Sequence, residues 1–239
     1  MNIKIVSIFP DVLGTYGDQG NARVLEYLAR STGATTELVS VGINDVVPVD
    51  GDLYLLGGGE DGPQALAARR LQAGAPLQRV VERGRPILAI CAGYQILGRS
   101  FVAEGKTLPG LNILPADSVP ATRRMVGEVL SEPLIGIGQA LMTGFENHGS
   151  MTVLDDGVEP LARIRRGSGN GRDGYDGVIV GSVIGSYMHG PILARNPGLA
   201  CHLLSCAGLG EVQPSRRHRQ LHHERARAQI ESLWRTVRA

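Results

Sequence analysis

A cysteine stands where an apolar run gives way to a helical pattern. The apolar stretch 86–90 ends at Cys91, and Gly93 follows before the helical pattern begins. A sharp strand-to-helix turn presents a nucleophile at the carboxyl edge of a sheet, and the free N–H groups of the next helix stabilise a thiolate. Ala89 stands where a nucleophile elbow usually has glycine, so the motif is incomplete. Two interpretations are open: a reactive thiol, or a buried structural cysteine.

A cysteine nucleophile needs a group that takes and returns protons, and that group is most often histidine. Four of the six histidines lie in an apolar helical stretch or in the basic tail, and neither is typical of a pocket: His202, His218, His222 and His223. His189 ends the strand-like run 178–188 and precedes a Gly-Pro turn, so we expect it beside Cys91 at one sheet edge. Two roles are open for His148, in the run 144–149: it lines a pocket, or it faces a partner.

The composition describes a soluble globular protein of one large or two small domains. The chain has 239 residues, 43% of them hydrophobic, with 24 basic and 23 acidic side chains, which gives no bias toward nucleic acid or membrane. Its three cysteines have no metal-ligand spacing, and the apolar N-terminus is short and interrupted by Lys4. We therefore expect a cytoplasmic protein with no metal site and no membrane insertion.

The elements that position these residues follow an alternating pattern. Strand-like runs lie at 3–8, 35–41, 52–57 and 86–91, and helical spacing covers 20–31 and 63–83. This alternation predicts an α/β fold with a mostly parallel central sheet flanked by helices, which binds ligands at the carboxyl ends of its strands. Beyond residue 110 shorter strands predict an antiparallel extension of the sheet, with candidates at 111–114, 126–130, 140–146, 160–165 and 177–188.

Two glycine-rich stretches and a basic tail remain. The loop 57–62 follows a strand, and one alternative for it is a dinucleotide-binding fingerprint, although no downstream acidic residue is evident. The stretch 166–177 is typical of a flexible hairpin tip. Residues 215–239 contain seven arginines, with Ile230, Leu233, Trp234 and Val237 at helical spacing. We predict a domain over 1–208 and a basic helical extension over 209–239, either a packed helix with a solvated face or a contact for an anionic partner.

Several runs together resemble a known family. The runs 56–59 (Leu-Gly-Gly-Gly), 90–95 (Ile-Cys-Ala-Gly-Tyr-Gln) and 187–191 (Tyr-Met-His-Gly-Pro) resemble the flavodoxin-like class I glutamine amidotransferases, in their cobyric-acid-synthase-like branch. The runs 16–21 (Tyr-Gly-Asp-Gln-Gly-Asn), 122–127 (Thr-Arg-Arg-Met-Val-Gly) and 144–149 (Gly-Phe-Glu-Asn-His-Gly) narrow the resemblance to glutaminase subunits of lipid II isoglutaminyl synthases. The resemblance covers residues 10–200 and leaves only the arginine-rich tail outside.

The resemblance implies a role for each matching residue. Cys91 attacks the side-chain amide of L-glutamine, and His189 protonates the departing ammonia. Oxyanion donors are the backbone N–H groups of three residues near the nucleophile: Gly58, Gly59 and Ala92. The α-carboxylate of the substrate is bound by Arg124, or by its neighbour Arg123, through a guanidinium fork. Gln95 and His148 are further candidates for substrate binding.

The sequence departs from the family at one position. Many class I enzymes carry a glutamate two residues after the histidine, and here that residue is Pro191, which cannot orient an imidazole. Either the Cys–His pair works as a dyad or a carboxylate comes from elsewhere. Asp18 is the first candidate for that carboxylate, and Glu146 is the second.

The resemblance also implies a partner. Ammonia is mostly protonated at neutral pH, so a glutaminase must pass it to an acceptor site through a sheltered path. The sequence has no Walker-type loop, so we expect no cofactor on this chain, and ATP and Mg²⁺ on a Mur-ligase-like synthetase subunit in a heterodimer. That subunit amidates the α-carboxylate of D-glutamate in the lipid II stem peptide. Two alternatives are open: a glutaminase for another acceptor such as a corrin carboxylate, and a non-catalytic binding subunit.

Overall fold

The computed structural model describes the backbone of residues 1–237 and the side chains of residues 1–232. The strands are β1 (Asn2–Ile8), β2 (Thr35–Val41), β3 (Leu53–Leu56), β4 (Ile87–Ile90), β5 (Ser100–Ala103), β6 (Lys106–Pro109), β7 (Ala116–Pro133), β8 (Met142–Leu154), β9 (Ala162–Arg166), β10 (Tyr175–Asp176), β11 (Val178–Val180) and β12 (Val183–Ser186). The α-helices are α1 (Gly20–Ser31), α2 (Asp61–Gln72), α3 (Pro76–Glu82), α4 (Ala92–Leu97), α5 (Ile192–Arg195), α6 (Pro197–Leu204) and α7 (Arg216–Val237).

The first sheet is parallel except at one edge. Its strand order is β11-β12-β4-β3-β1-β2, and only the β11–β12 pair is antiparallel. Every residue of β3 and of β4 is buried, which explains why these strands are continuous apolar runs in the sequence. The predicted α/β architecture with a mostly parallel central sheet is confirmed.

The helices of the first sheet agree with the predicted segments, with one exception. Helix α1 has the predicted bounds, whereas the single helix predicted over 63–83 is two helices, α2 and α3. The break lies at Gly74 and Ala75, which both have positive φ angles (73° and 46°), and Pro76 begins the next helix. A left-handed backbone conformation at two successive residues cannot continue a right-handed helix.

The predicted strand over 177–188 is the pair β11 and β12, which gives the first sheet an antiparallel edge, whereas the other strands beyond residue 110 belong to a second sheet. Its order is β10-β9-β7-β5-β6, with β8 paired to β7, and it begins at Ser100. The predicted strand at 111–114 is wrong, because this segment is a connection that donates backbone hydrogen bonds to the end of α4. The two sheets meet where Phe145 of β8 pairs with His189 in an isolated antiparallel bridge.

The basic C-terminal segment packs against the rest of the chain. Helix α7 buries His222, Ala226 and Gln229 on one face, and the Nδ1–H of His222 donates to the carbonyl of Arg195 at 2.9 Å. Of the predicted apolar face, the side chains of Leu233, Trp234 and Val237 lie outside the described residues. None of the helices that the structure describes is long and apolar enough to cross a membrane.

Candidate active site

Cys91 lies at a strained turn between β4 and α4. Its φ and ψ angles are 51° and −106°, a conformation rarely adopted by residues that carry a side chain. The Cys91 N–H donates to the carbonyl of Ser186 on β12 at 2.9 Å, which fixes the turn against the neighbouring strand. Gly93 is required, because a Cβ there would lie 2.8 Å from the Cβ of Leu56. The turn therefore has the geometry of a nucleophile elbow, despite Ala89 at the position usually held by glycine.

His189 reaches the same edge of the sheet from the neighbouring strand. Strands β12 and β4 are parallel, with Ser186 paired to Ile90, so the residues that follow both strands emerge together. The backbone of His189 is held by two hydrogen bonds with Phe145, of 2.7 and 3.2 Å, and its side chain is fully buried. The second sheet thus fixes the backbone that carries the imidazole.

Asp18 contacts the imidazole of His189. Its Oδ2 and Oδ1 atoms lie 2.9 and 3.1 Å from Nδ1 of His189, and the residue is buried. The N–H of Gly58 donates to the same Oδ2 atom at 2.8 Å. The first candidate for the orienting carboxylate is therefore in contact with the histidine. Glu146, the second candidate, is bound elsewhere, by the N–H groups of Ser168 and Gly169.

The charges around His189 favour its protonated form. Burial lowers the pKa of His189, but hydrogen bonding and charge from Asp18 and from Cys91 outweigh burial and raise this pKa to about 10. Cys91 is close enough to raise this pKa, although Nε2 makes no hydrogen bond of normal length and angle with any described residue. The raised pKa of His189 favours an imidazolium beside the Cys91 sulfur at neutral pH.

The backbone amides near Cys91 do not all have the expected role. The N–H of Gly58 is donated to Asp18, so it is not free to bind an oxyanion, and this corrects the expectation for Gly58. A side chain cannot be accommodated there either, because a Cβ would lie 2.6 Å from Cε1 of His189. Gly59 and Ala92 line the cleft beside Cys91, which keeps their amides as the candidate donors.

A cleft of about 410 Å³, including the part open to solvent, lies above the nucleophile. All three candidates for substrate binding line this cleft: Gln95, Arg124 and His148. Arg123 is not among its lining residues. The Nε–H of Arg124 donates to Oδ1 of Asn147 at 2.6 Å, which fixes the plane of the guanidinium. A guanidinium held in this way can bind a carboxylate with its remaining N–H groups.

Gln95 and His148 form the floor of the cleft and have protein partners. Gln95 accepts a hydrogen bond from Gln64 at 2.8 Å and donates to the hydroxyl of Tyr187 at 3.2 Å. The His148 ring stacks on the ring of Tyr187, with their centroids 3.8 Å apart. Both candidates are thus held in fixed orientations, which suits residues that shape a pocket.

The buried side chain of Glu146 lies beside His148, which lines the cleft. The Nδ1–H of His148 donates to the carbonyl of Ser150 at 2.8 Å, and Nε2 lies 3.6 Å from Oε2 of Glu146. Burial raises the pKa of Glu146, but the hydrogen bonds from His148 and from the amides of Ser168 and Gly169 lower it by a larger amount. The pKa of Glu146 therefore lies below its usual value. The glycine-rich stretch 166–177 therefore has a structural role, since its amides bind this carboxylate.

Sequence reasoning missed several residues that line the cleft: Tyr16, Glu60, Asp61, Gln64 and Asn147. The sequence contains a signal for two of them. Glu60 and Asp61 directly follow the three glycines of the loop 57–62 at the carboxyl end of β3, where a ligand is expected. The acidic side chains and Arg124 give the cleft both signs of charge, which suits a zwitterionic amino acid.

A comparison with protein families matches residues 4–197 to the CobB/CobQ-like glutamine amidotransferase domain. Among curated proteins, the chain is 34% identical over 212 residues to the lipid II isoglutaminyl synthase (glutamine-hydrolyzing) subunit GatD of Streptococcus pneumoniae, covering 86% of this chain and 80% of that protein. It is also 34% identical to the GatD subunit of Staphylococcus aureus, covering 86% and 84% of the two chains. A cobyric acid synthase of Methylorubrum populi is 29% identical, but only 34% of its length is covered.

The solved structures show the same fold. PurLQS from Thermotoga maritima superposes with a TM-score of 0.60 at 18% identity, covering 86% of this chain and 99% of that chain. The glutaminase domain of Trypanosoma brucei CTPS, solved with bound acivicin, superposes with a TM-score of 0.55 at 11% identity, covering 90% and 98%.

Proposed function

This chain belongs to the CobB/CobQ-like glutamine amidotransferase family, and from that premise we propose that it is the glutamine-hydrolysing subunit of a lipid II isoglutaminyl synthase. The observation that carries the catalytic part is the contact of a buried His189 with Asp18 beside the strained Cys91, on the floor of a cleft lined by Arg124. The 34% identity to two GatD subunits, with 80% and 84% of their lengths covered, supports the choice of acceptor.

In the proposed first half of the reaction, the Cys91 thiolate attacks the side-chain amide carbon of L-glutamine. The oxyanion of the tetrahedral intermediate is bound by the N–H groups of Gly59 and Ala92. The carbon–nitrogen bond then breaks, the His189 imidazolium gives its Nε2 proton to the leaving nitrogen, and ammonia departs from a thioester. Asp18 stabilises the imidazolium throughout and fixes the ring.

In the second half, water hydrolyses the thioester and regenerates the thiol. Formation of the thioester removes the thiolate, which is one of the two negative charges that raise the pKa of His189. The imidazole, neutral after it has given its proton to the leaving nitrogen, can therefore act as the base that activates water. One histidine thus serves both as acid and as base, and the change of charge on Cys91 separates the two roles.

Substrate recognition is assigned to the charged walls of the cleft. Arg124 binds the α-carboxylate, and Glu60 or Asp61 accepts the α-ammonium group, while Gln95 and His148 shape the floor. We propose that the released ammonia passes to a Mur-ligase-like subunit in a heterodimer. That subunit holds ATP and Mg²⁺ and activates the α-carboxylate of D-glutamate in the lipid II stem peptide for amidation.

A direct test treats the full chain with a glutamine-mimicking electrophile and identifies the modified cysteine by mass spectrometry. We expect label on Cys91, protection by excess glutamine, and no glutamate release by a Cys91→Ser variant. Cys206→Ser is the matched control, because Cys206 is an exposed free thiol and its loss leaves both results unchanged. A Cys91→Ser protein that releases glutamate as fast as wild type contradicts the proposal, and a wild-type Cys91 that resists the label favours a non-catalytic subunit.

The acceptor is tested separately. Purification of the protein with its partners from the native cell, followed by a glutamine- and ATP-dependent amidation assay on the stem peptide, is expected to recover a Mur-ligase-like subunit and to form D-isoglutamine. Transfer of the nitrogen to a corrin carboxylate instead would support the alternative suggested by the cobyric acid synthase relatives.

A further inference from the structure

Tyr16 lies between the imidazole and the guanidinium of the cleft. Its ring meets the His189 ring edge-on, with centroids 5.0 Å apart and an interplanar angle of 69°. Its hydroxyl oxygen accepts a hydrogen bond from Nδ2 of Asn147 at 2.6 Å. The residue lines the cleft, and it is 41% exposed. One side chain therefore contacts the proposed proton donor and is linked to the proposed substrate-binding arginine.

The chemistry of the groups fixes the direction of this hydrogen-bonded chain. A guanidinium can only donate, so the amide oxygen of Asn147 must face Nε of Arg124, at 2.6 Å. The amide nitrogen of Asn147 must then face Tyr16, whose hydroxyl accepts. The O–H of Tyr16 is consequently still available to donate into the cleft. Asn147 cannot rotate by half a turn without bringing its NH₂ group against the guanidinium.

The backbone holds Tyr16 in an uncommon conformation. Its φ and ψ angles are 56° and 22°, in the left-handed region that residues with a side chain seldom occupy. The conformation lies within the short turn Thr15–Gly17, which the N–H of Thr15 anchors to the carbonyl of Gly58 at 3.1 Å. The same turn leads directly to Asp18. Such an outlier at a cleft is a reason to look for a functional role.

We propose that Tyr16 is a positioning residue that couples recognition of glutamine to the catalytic imidazole. Its hydroxyl, through Asn147, holds the Arg124 guanidinium in the orientation that binds the α-carboxylate. Its ring restrains the His189 imidazole through their edge-on contact. The two effects belong to different parts of one side chain, so they are separable by substitution. This inference rests on the proposed glutaminase function.

The test compares two reagents that alkylate Cys91. A glutamine-mimicking electrophile carries the α-amino acid group and depends on Arg124, whereas iodoacetamide lacks that group and reports only on the reactivity of the thiol. The full chain is used, with the second-order rate constant of Cys91 modification followed by mass spectrometry. This readout does not require turnover or a partner subunit. Thermal unfolding of each variant is measured in parallel.

We expect Tyr16→Phe to slow the glutamine mimic by roughly 3- to 10-fold, the effect of one neutral hydrogen bond, and to leave iodoacetamide unchanged. Asn147→Ala should have at least that effect, and the double variant should be no slower than Asn147→Ala alone, because both changes break the same chain. Tyr16→Leu should slow both reagents. Tyr27→Phe is the matched control, since Tyr27 is 58% exposed on α1 and does not line the cleft.

Two outcomes would overturn the proposed role of Tyr16 without affecting the proposed function. One is that Tyr16→Phe reacts like wild type with both reagents. The other is that Tyr16→Phe slows both reagents equally and lowers the melting temperature, which indicates a structural role. A different outcome overturns the proposed function as well. If glutamine fails to protect wild-type Cys91 and the glutamine mimic has no advantage over iodoacetamide, the cleft does not recognise glutamine, and there is no recognition for Tyr16 to couple.

Discussion

Replacement of Asp18 by Asn tests how His189, the proposed proton donor, is held. The carboxylate lies 2.9 Å from Nδ1 of His189 and also accepts the N–H of Gly58 at 2.8 Å. The Gly58 N–H is a fixed donor, so the asparagine must present its carbonyl oxygen there. The NH₂ group then takes the place of Oδ1, 3.1 Å from Nδ1 in the wild type. The substitution keeps the shape of the site and an oxygen 2.9 Å from Nδ1, but it removes the negative charge and adds a competing donor at the Oδ1 position.

The expected fall in kcat follows from the loss of the charge that strengthens this hydrogen bond. Such a bond to an ionised group contributes roughly 1.5–3 kcal/mol, which is about 10- to 100-fold in rate. A wrongly placed donor also favours the other imidazole tautomer, and loss of the orienting carboxylate of a catalytic triad can reach about 10⁴-fold. We therefore expect kcat for glutamate release to fall by roughly 10²- to 10⁴-fold.

The pH dependence provides a second readout. The His189 pKa is raised to about 10, so its imidazolium is present at neutral pH and is lost as the pH rises through that value. In Asp18→Asn one of the two groups that raise the pKa is neutral, and burial, which lowers the pKa, is less opposed. The loss of kcat at high pH should therefore begin at a lower pH in the variant than in wild type.

The assay is glutamate release by the full chain over a range of pH, with the proposed synthetase partner added in a parallel series. Asp11→Asn is the matched control, because Asp11 is an exposed aspartate of the same loop and its carboxylate accepts the backbone N–H of Ile43. The reasoning is refuted if Asp18→Asn retains kcat within about twofold of wild type, or if its activity at high pH declines at the same pH.

Three further predictions follow from the geometry. Arg124→Ala should raise KM for glutamine roughly 10- to 100-fold with a smaller change in kcat, whereas Arg123→Ala, outside the cleft, should not, as steady-state kinetics will show. Gly58→Ala should lower kcat because its Cβ would lie 2.6 Å from the catalytic imidazole, whereas Gly136→Ala, with nothing within 4 Å, should not. Burial raises the pKa of Asp176 from 3.8 to about 6, so its contribution to the free energy of unfolding should decline by up to about 3 kcal/mol as the pH rises from about 4 to 6. Asp176→Asn should lack this decline in denaturant titrations.

Much of the first sheet could be predicted because its inner strands are largely buried. Strands β1, β3 and β4 appear in the sequence as short apolar runs, and helix α1 has a regular polar–apolar period, so local composition specifies both. The break between α2 and α3 has a weaker signal, the dipeptide Gly74-Ala75 before Pro76. The extent of the second sheet was harder to predict, because β7 and β8 alternate between exposed and buried residues and bend at a register shift after Pro120.

The proximity of Cys91 and His189 was predictable for a related reason. Cys91 and His189 each end an apolar strand at a glycine-containing turn, and parallel strands bring such ends to one edge. The use of the Gly58 amide was not predictable, because its partner depends on which side chain the fold brings within reach. The pairing of Phe145 with His189 is likewise a contact between two sheets, and it has no local sequence signal.

The orienting carboxylate and the histidine come from distant parts of the chain, so local opening of the fold can separate them. A glutamate two residues after the histidine would stay near it during any local opening, whereas Asp18 is separated from His189 by 171 residues. Alignment of the imidazole therefore depends on closure of the segment around Asp18, and the Gly58 amide, which donates to the same carboxylate, reports on that closure. We expect hydrogen exchange at Gly58 to be slow in wild type and roughly 10- to 100-fold faster in Asp18→Ala, with Asp11→Asn unchanged. If Gly58 exchanges rapidly in wild type while glutamine turnover is intact, the Asp18 contact is not what holds the histidine, and a Cys–His dyad is sufficient.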